Sequence, residues 1–253
     1  MRLDNYLLQI KMFDSRTKAK QAIERNEIII NGKIINKVSF DVDENKNYDI
    51  KRVFESSFVS LGGFKLEKAL NDFNFIVKNL VCADIGSSTG GFTDCLLQRG
   101  AKTVFAVDLN DDLLHDSLKD NCKVKPIIKN AKDLTLNDFN TSLDLIVADL
   151  SFISINHVIH VFDSLLENEK HLIILIKPQF ETGVRKKFKN GIIKDKKLQS
   201  EICKNVYNKA LENNLIPLSI TTAPIQESKN VEFLMLLKKG DGNKFDISQI
   251  DKL

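Results

Sequence analysis

The stretch LVCADIGSSTGGF, residues 80–92, decides how the chain is read. An apolar run ends on an acid, Asp84. Gly86 then opens a polar turn, and Gly90 and Gly91 lead into GGFTDCLLQRG, which reads as a helix closed by Gly100. KTVFAVDL (102–109) supplies the next strand. The pattern is strand, glycine turn, helix, strand.

Outward from this unit the alternation continues. LDLIVADL (143–150), the helical SINHVIHVFDSLL (154–166), HLIILIKP (171–178), the charged helix KKLQSEICKNVYNKALENN (196–214), LIPLSITTAP (215–224) and NVEFLMLLKK (230–239) follow in order. Near-continuous apolar strands alternating with helices predict an α/β, Rossmann-like domain over 80–253. Its sheet is expected to be mainly parallel and covered on both faces.

Residues 1–55 read as a separate, small α+β unit. LDNYLLQIKMF (3–13) has helical apolar spacing, and Ser15 is placed to cap SRTKAKQAIER (15–25). EIIINGKIINK (27–37) carries Asn31-Gly32 between two β-branched runs, a hairpin signal. The polar FDVDENKNYDIKRVFESS (40–57) is expected to end the module and link it onward. Residues 56–79 then form a linker plus a helix, GGFKLEKALNDF, opening just after its glycine pair. So small a core suits a docking module better than an enzyme.

At 253 residues, 43% hydrophobic and 28% charged, the composition is that of a soluble globular protein. HLIILI and LDLIVA are far too short to span a membrane, and MRLDNYLLQIK has no signal-peptide h-region. A cytoplasmic protein with no membrane partner is expected. Cys82, Cys95, Cys122 and Cys203 are scattered without ligand spacing, which predicts no metal site and no disulfide framework. The net charge of +3 says less than its distribution. Residues 1–40 hold eight Lys or Arg against four acids, and RKKFKNGIIKDKK (185–197) holds seven positives and one Asp. Two such runs raise the expectation of a polyanionic partner, with Arg2, Arg16, Lys18, Lys20 and Arg25 as candidate contacts.

Ligands of such sheets bind beyond the carboxyl ends of the strands. There the first strand offers Asp84, Gly86, Ser88, Gly90, Gly91 and Phe92, and the second offers Asp108, placed for ribose hydroxyls. Ser88 takes the second glycine position of a dinucleotide fingerprint, which disfavours a pyrophosphate and hence a nicotinamide dehydrogenase. S-adenosylmethionine fits better, with its ribose on Asp108 and its charged amino-acid end on the loop from Asp84 to Gly90. Later strands add Asp149, Lys177 and, at the start of the last hairpin, Glu232.

Taken together, RLDNYLLQ, SRTKAKQAIERNEIIINGK, SLGGFKLEKAL, ADIGSSTGGFTDCLLQRGA, VDLN, DLIVADLSFIS, IKPQFE and NVEFLMLL resemble, in order and over essentially the whole chain, the TlyA (haemolysin A-type) family. That resemblance implies an S4 RNA-binding domain before a methyltransferase domain related to the FtsJ/RrmJ rRNA 2′-O-methyltransferases. It implies a Lys-Asp-Lys-Glu catalytic tetrad at Lys65, Asp149, Lys177 and Glu232, with Asp149 also beside the cofactor. Lys68, three residues on, is the alternative for the first position. It further implies methylation of a cytidine in 23S rRNA within ribosomal subunits, with 16S rRNA as a second candidate target. The short N-terminus is similar to the family's shorter form, which implies a range centred on the large subunit.

A ribose hydroxyl is a poor nucleophile, so its proton must be removed. Burial of Lys177 with Lys65 close by is expected to disfavour the charged amine. The geometry is accordingly expected to keep Lys177 out of a tight ion pair. The rival readings are a non-catalytic RNA-binding or ribosome-assembly protein, which a complete tetrad argues against, and a membrane-active haemolysin, for which no amphipathic or spanning segment speaks.

Overall fold

The structure, a computed structural model, describes residues 1–253 except 14, 25, 26, 32, 44, 45, 53–57, 183–187, 189, 190 and 225–228. It divides into two compact units, Met1–Ser57 and Phe58–Leu253.

In the first unit, α1 (Leu3–Gln9) and α2 (Arg16–Glu24) bury Leu3, Leu7, Ala19, Ala22 and Ile23 with Ile28, Ile30 and Val42 in one core. The helical spacing of these apolar residues is what makes the shared face. Ser15 Oγ accepts a hydrogen bond from the Lys18 amide at 3.3 Å at the start of α2. β1 (Ile28–Ile30) and β2 (Lys33–Ile34) pair antiparallel across Asn31, whose φ is 49°. Gly32 lies outside the described residues. The polar stretch read as a link contains a strand: β3 (Ile50–Arg52) pairs antiparallel with β1, giving the order β2-β1-β3. Asp49 between Tyr48 and Ile50, which are both partly buried against this core, and Lys51 after them conceal the alternation.

The second unit opens with α3 (Gly62–Asp72), whose glycine pair lies inside the first turn rather than before it. A seven-stranded sheet follows, ordered β6-β5-β4-β7-β8-β10-β9. These strands are β4 (Val81–Ile85), β5 (Thr103–Asp108), β6 (Val124–Ile128), β7 (Leu143–Ala148), β8 (Leu166–Ile176), β9 (Leu215–Thr222) and β10 (Phe233–Lys239). Only β10 runs against its neighbours. β6 is not announced by an apolar run, because most of VKPII is exposed at the sheet edge. Successive residues of the inner strands feed opposite cores. Cys82, Leu145, Val147 and Ile173 join α3 and α4 (Gly91–Gln98), while Ala83, Ile146, Ile174 and Met235 join α6 (Ile159–Leu165) and α8 (Lys196–Leu211). Two further short α-helices among the described residues are α5 (Asp116–Lys119) and α7 (Pro178–Glu181).

Candidate active site

Topology brings the chemistry to one edge. β4, β5, β7 and β8 are parallel, so Asp84, Asp108, Asp149 and Lys177 all stand at or just beyond carboxyl ends. The antiparallel register Phe233↔Ile176 sets Glu232, just before β10, beside the exit of β8. The Ala223 amide donates to the Glu232 carbonyl at 2.8 Å, carrying the β9–β10 pairing one step past the strands.

The glycine turn is built by contact as well as conformation. Gly86 has φ 87°, and a Cβ there would come 2.6 Å from the Asp149 carbonyl oxygen. Gly90, at φ 90°, caps α4 with no side-chain bond, and a Cβ on it would meet Leu118 Cδ1 at 2.2 Å. Ser88 itself adopts φ 48°, held by its amide donating to Asp108 Oδ2 at 2.8 Å. Asp108 Oδ1 accepts from the Leu109 amide at 2.7 Å, so this carboxylate ties the two glycine-turn strands together.

Asp84 is fully buried. Its Oδ2 accepts from the Thr93 amide at 2.8 Å and the Thr93 hydroxyl at 2.6 Å, while Oδ1 has no hydrogen-bond partner among the described residues. Burial pushes its carboxyl up to about 7; repulsion from Asp149 and Asp108 adds to this, and the Thr93 bonds oppose it.

Two lysine–carboxylate pairs complete the site. Lys177, 8% exposed, stands 2.5 Å from Asp149 Oδ1 and donates to Ser151 Oγ at 2.8 Å. The expectation that the geometry keeps Lys177 out of a tight ion pair is therefore overturned: the ends of the paired strands β7 and β8 bring the two groups together. Lys65, on α3, reaches Glu232 Oε2 at 2.6 Å. Lys68 turns elsewhere, to Asp72 and to Thr221 Oγ1 at 3.0 Å, and Thr221 donates to Asp72 at 2.5 Å. Of the two lysines it is Lys65 that lines the cavity.

That cavity, about 290 Å³, is lined by Lys65, Asp84, the Gly86–Thr89 turn, Gly91, Phe92, Asp149, Lys177 and Glu232. A second, of about 520 Å³, shares Gly86, Ser88, Asp149 and Ser151 and extends past Asp108, Leu109, Leu113 and Asn130. Gly90 shapes the turn from behind without lining either. Sequence reasoning did not single out Ser60, Ser151, Lys229 and Asn230. Ser151 follows Asp149 by two residues, which was the one available signal; Ser60 and Asn230 lie in loops that only the fold brings here.

A further carboxylate fixes the loop after Asp149. Glu181, in α7, accepts from the Ser154 hydroxyl and, at 3.0 Å, from the Ile155 amide. Burial pushes this carboxyl up, against those two bonds.

The candidate RNA contacts lie in the first unit. Arg2, Arg16, Lys18 and Lys20 are exposed. Lys20 pairs with Glu24 at 3.8 Å, and Arg25 lies outside the described residues. Of the basic run 185–197, Lys194, Lys196 and Lys197 are exposed, and 185–187 and 189 lie outside the described residues.

The chain is similar to known proteins over most of its length. Residues 58–239 match the FtsJ-like methyltransferase family and residues 1–47 the S4 domain. The chain is 37% identical to Hemolysin A of Brachyspira hyodysenteriae, over 92% of this chain and 98% of that one. It is 32% identical to the 16S/23S rRNA (cytidine-2′-O)-methyltransferase TlyA of Mycobacterium tuberculosis, over 94% and 89%. A solved Streptococcus thermophilus structure, described as a hemolysin, superimposes with TM-score 0.77 at 31% identity, covering 100% of this chain and 93% of that one.

Proposed function

The chain belongs to the FtsJ-like methyltransferase family, and on that premise we propose that it is an S-adenosylmethionine-dependent ribosomal RNA ribose 2′-O-methyltransferase. Its target is a cytidine of 23S rRNA in the large subunit, with 16S rRNA as the second candidate. The observation that carries this reading is the meeting of Lys177–Asp149 and Lys65–Glu232 in one cavity beside the glycine turn.

The residues fit the cofactor. Asp108 stands in the larger cavity, with Leu109 and Leu113 as apolar wall for a base. The unpartnered Asp84 Oδ1 offers an acceptor to a positively charged amino-acid end. Bound there, S-adenosylmethionine supplies a methyl group already electrophilic on its sulfonium. The chain has then to hold the ribose hydroxyl in line and take its proton. Lys177 is the group we assign to that task. It donates to Ser151 and is ion-paired with Asp149, so it must first pass one of its protons to Asp149 or to solvent. Asp149 thus both orients the amine and relays its proton. Lys65 and Glu232 position the hydroxyl from the other side.

Residues 1–55 serve as the docking module, with Arg16, Lys18, Lys20 and Arg25 on phosphates. A membrane-lytic role finds no spanning segment: among the described residues no helix is long and apolar enough to cross a bilayer.

Incubation with methyl-labelled S-adenosylmethionine and each unmodified ribosomal subunit tests the assignment. Label on a 23S cytidine 2′-oxygen is expected. A protein that binds cofactor and RNA but labels neither subunit would be the non-catalytic RNA-binding protein instead.

A further inference from the structure

Asp4 stands in the first turn of α1 and is 1% exposed. Its Oδ1 accepts from Arg2 Nε at 3.0 Å; its Oδ2 accepts from Arg16 Nε at 2.7 Å and from Arg2 Nη2 at 3.4 Å. One buried carboxylate therefore draws guanidinium groups from two elements onto a single point. Burial pushes the Asp4 carboxyl up, and the two arginines outweigh it and hold the group below the usual carboxylate range.

Each arginine side chain remains half exposed, at 50% and 57%. A guanidinium carries five N–H donors in a planar fork, so contacts made mainly through Nε use only part of each fork. Two free cations this close repel, and each loses rotamer freedom when a ligand orders it. A shared carboxylate offsets the repulsion and does the ordering beforehand. Lys20 of α2 differs: its ion pair among the described residues is with Glu24, a neighbour as exposed as itself.

We propose that Asp4 is a positioning residue of the RNA-binding face, holding Arg2 and Arg16 as a paired fork for the phosphodiester oxygens of RNA. An acid thereby strengthens the binding of a polyanion. The proposal rests on the reading of the first unit as RNA-binding. Charge alone predicts the opposite sign, because Asp4→Asn takes one negative charge from a surface that meets phosphate.

The test measures binding of the full-length chain to a labelled, unmodified 23S rRNA transcript over a salt series. Thermal unfolding and S-adenosylmethionine binding serve as controls. Arg2→Ala/Arg16→Ala should weaken RNA binding. Asp4→Asn should weaken it about fivefold to tenfold, the cost of ordering a rotamer-rich side chain on binding. In the Arg2→Ala/Arg16→Ala background, Asp4→Asn should add nothing. Asp4→Glu keeps the charge and displaces the carboxylate by one methylene, so it should also weaken binding; it decides the matter if Asp4→Asn loses the folding transition. RNA binding that tightens or holds steady in the Asp4 variants, while the arginine pair still matters, overturns the positioning role alone. If the arginine pair can be removed without loss, the RNA-binding reading of this face fails and the proposal with it.

Discussion

The Lys177 ammonium nitrogen lies 2.5 Å from Asp149 Oδ1, each residue standing one step beyond the end of a neighbouring parallel strand. Strand adjacency, not loop conformation, makes this pair. Sites built on rigid elements hold geometry better than sites on loops.

Lys65 and Lys68 separate cleanly. Lys65 meets Glu232 in the cavity, whereas Lys68 ties α3 to β9 through Thr221. Lys65→Ala should lower single-turnover methylation of ribosomal subunits by about 10²-fold or more, in line with loss of a positioned polar catalytic group. Lys68→Ala should leave most of the rate while lowering the melting temperature. The reverse ranking of rates would transfer the role to Lys68.

Asp84 makes cofactor binding depend on pH. Burial raises its carboxyl to about 7, so the ligand-free protein holds it neutral below that pH and ionised above. A cationic ligand end favours the ionised form. Affinity for S-adenosylmethionine, read by calorimetry, should therefore rise with pH up to about 7 and then level off. For stability the sign is opposite. The unfolded chain ionises near 3.8, so a contribution fully present below that pH is lost as pH rises towards about 7. Asp84→Asn should flatten both slopes, and an unchanged binding slope would remove Asp84 from the cofactor site.

Gly90→Ala should destabilise the second unit. It places a Cβ 2.2 Å from Leu118 Cδ1 at φ 90°, and left-handed strain alone costs about 1–3 kcal/mol. Chemical denaturation checks this; a variant within error of the parent would show that the turn relaxes freely.

Asp108→Ala should weaken S-adenosylmethionine binding by about fivefold to a hundredfold, the equivalent of about 1–3 kcal/mol for unpaired ribose hydroxyls and a loosened Ser88 turn. Unchanged affinity by calorimetry would place the nucleoside elsewhere.

Much of this fold is legible in the sequence. β4, β5, β7, β10 and the second half of β8 are apolar runs, and each announces itself. β3 and β6 do not, because an edge strand with one solvated face keeps its charges. The first half of β8, LENEKH, is polar, so the sequence starts the strand at 171 instead of Leu166. It also carries the preceding helix over 154–166, where α6 spans Ile159–Leu165. The site is legible where strand ends carry it, as with Asp84, Asp108, Asp149 and Lys177. Lys65 came only through resemblance, since nothing in GGFKLEKAL says which lysine a helix will turn towards Glu232. The tight Lys177–Asp149 pair is not legible for a related reason: the order of residues along a chain does not carry the lateral distance between two strands.

The most direct test of the central claim is methylation by Lys177→Arg. Arginine keeps the cation and can still pair with Asp149, but a guanidinium stays protonated at working pH and cannot accept a proton. With S-adenosylmethionine and rRNA affinities measured alongside, the variant should bind both nearly as the parent does. Its transfer of label to unmodified large subunits should fall by at least about 10²-fold. Methylation near the parent rate in Lys177→Arg would contradict the assignment and move the proton-accepting role to Asp149.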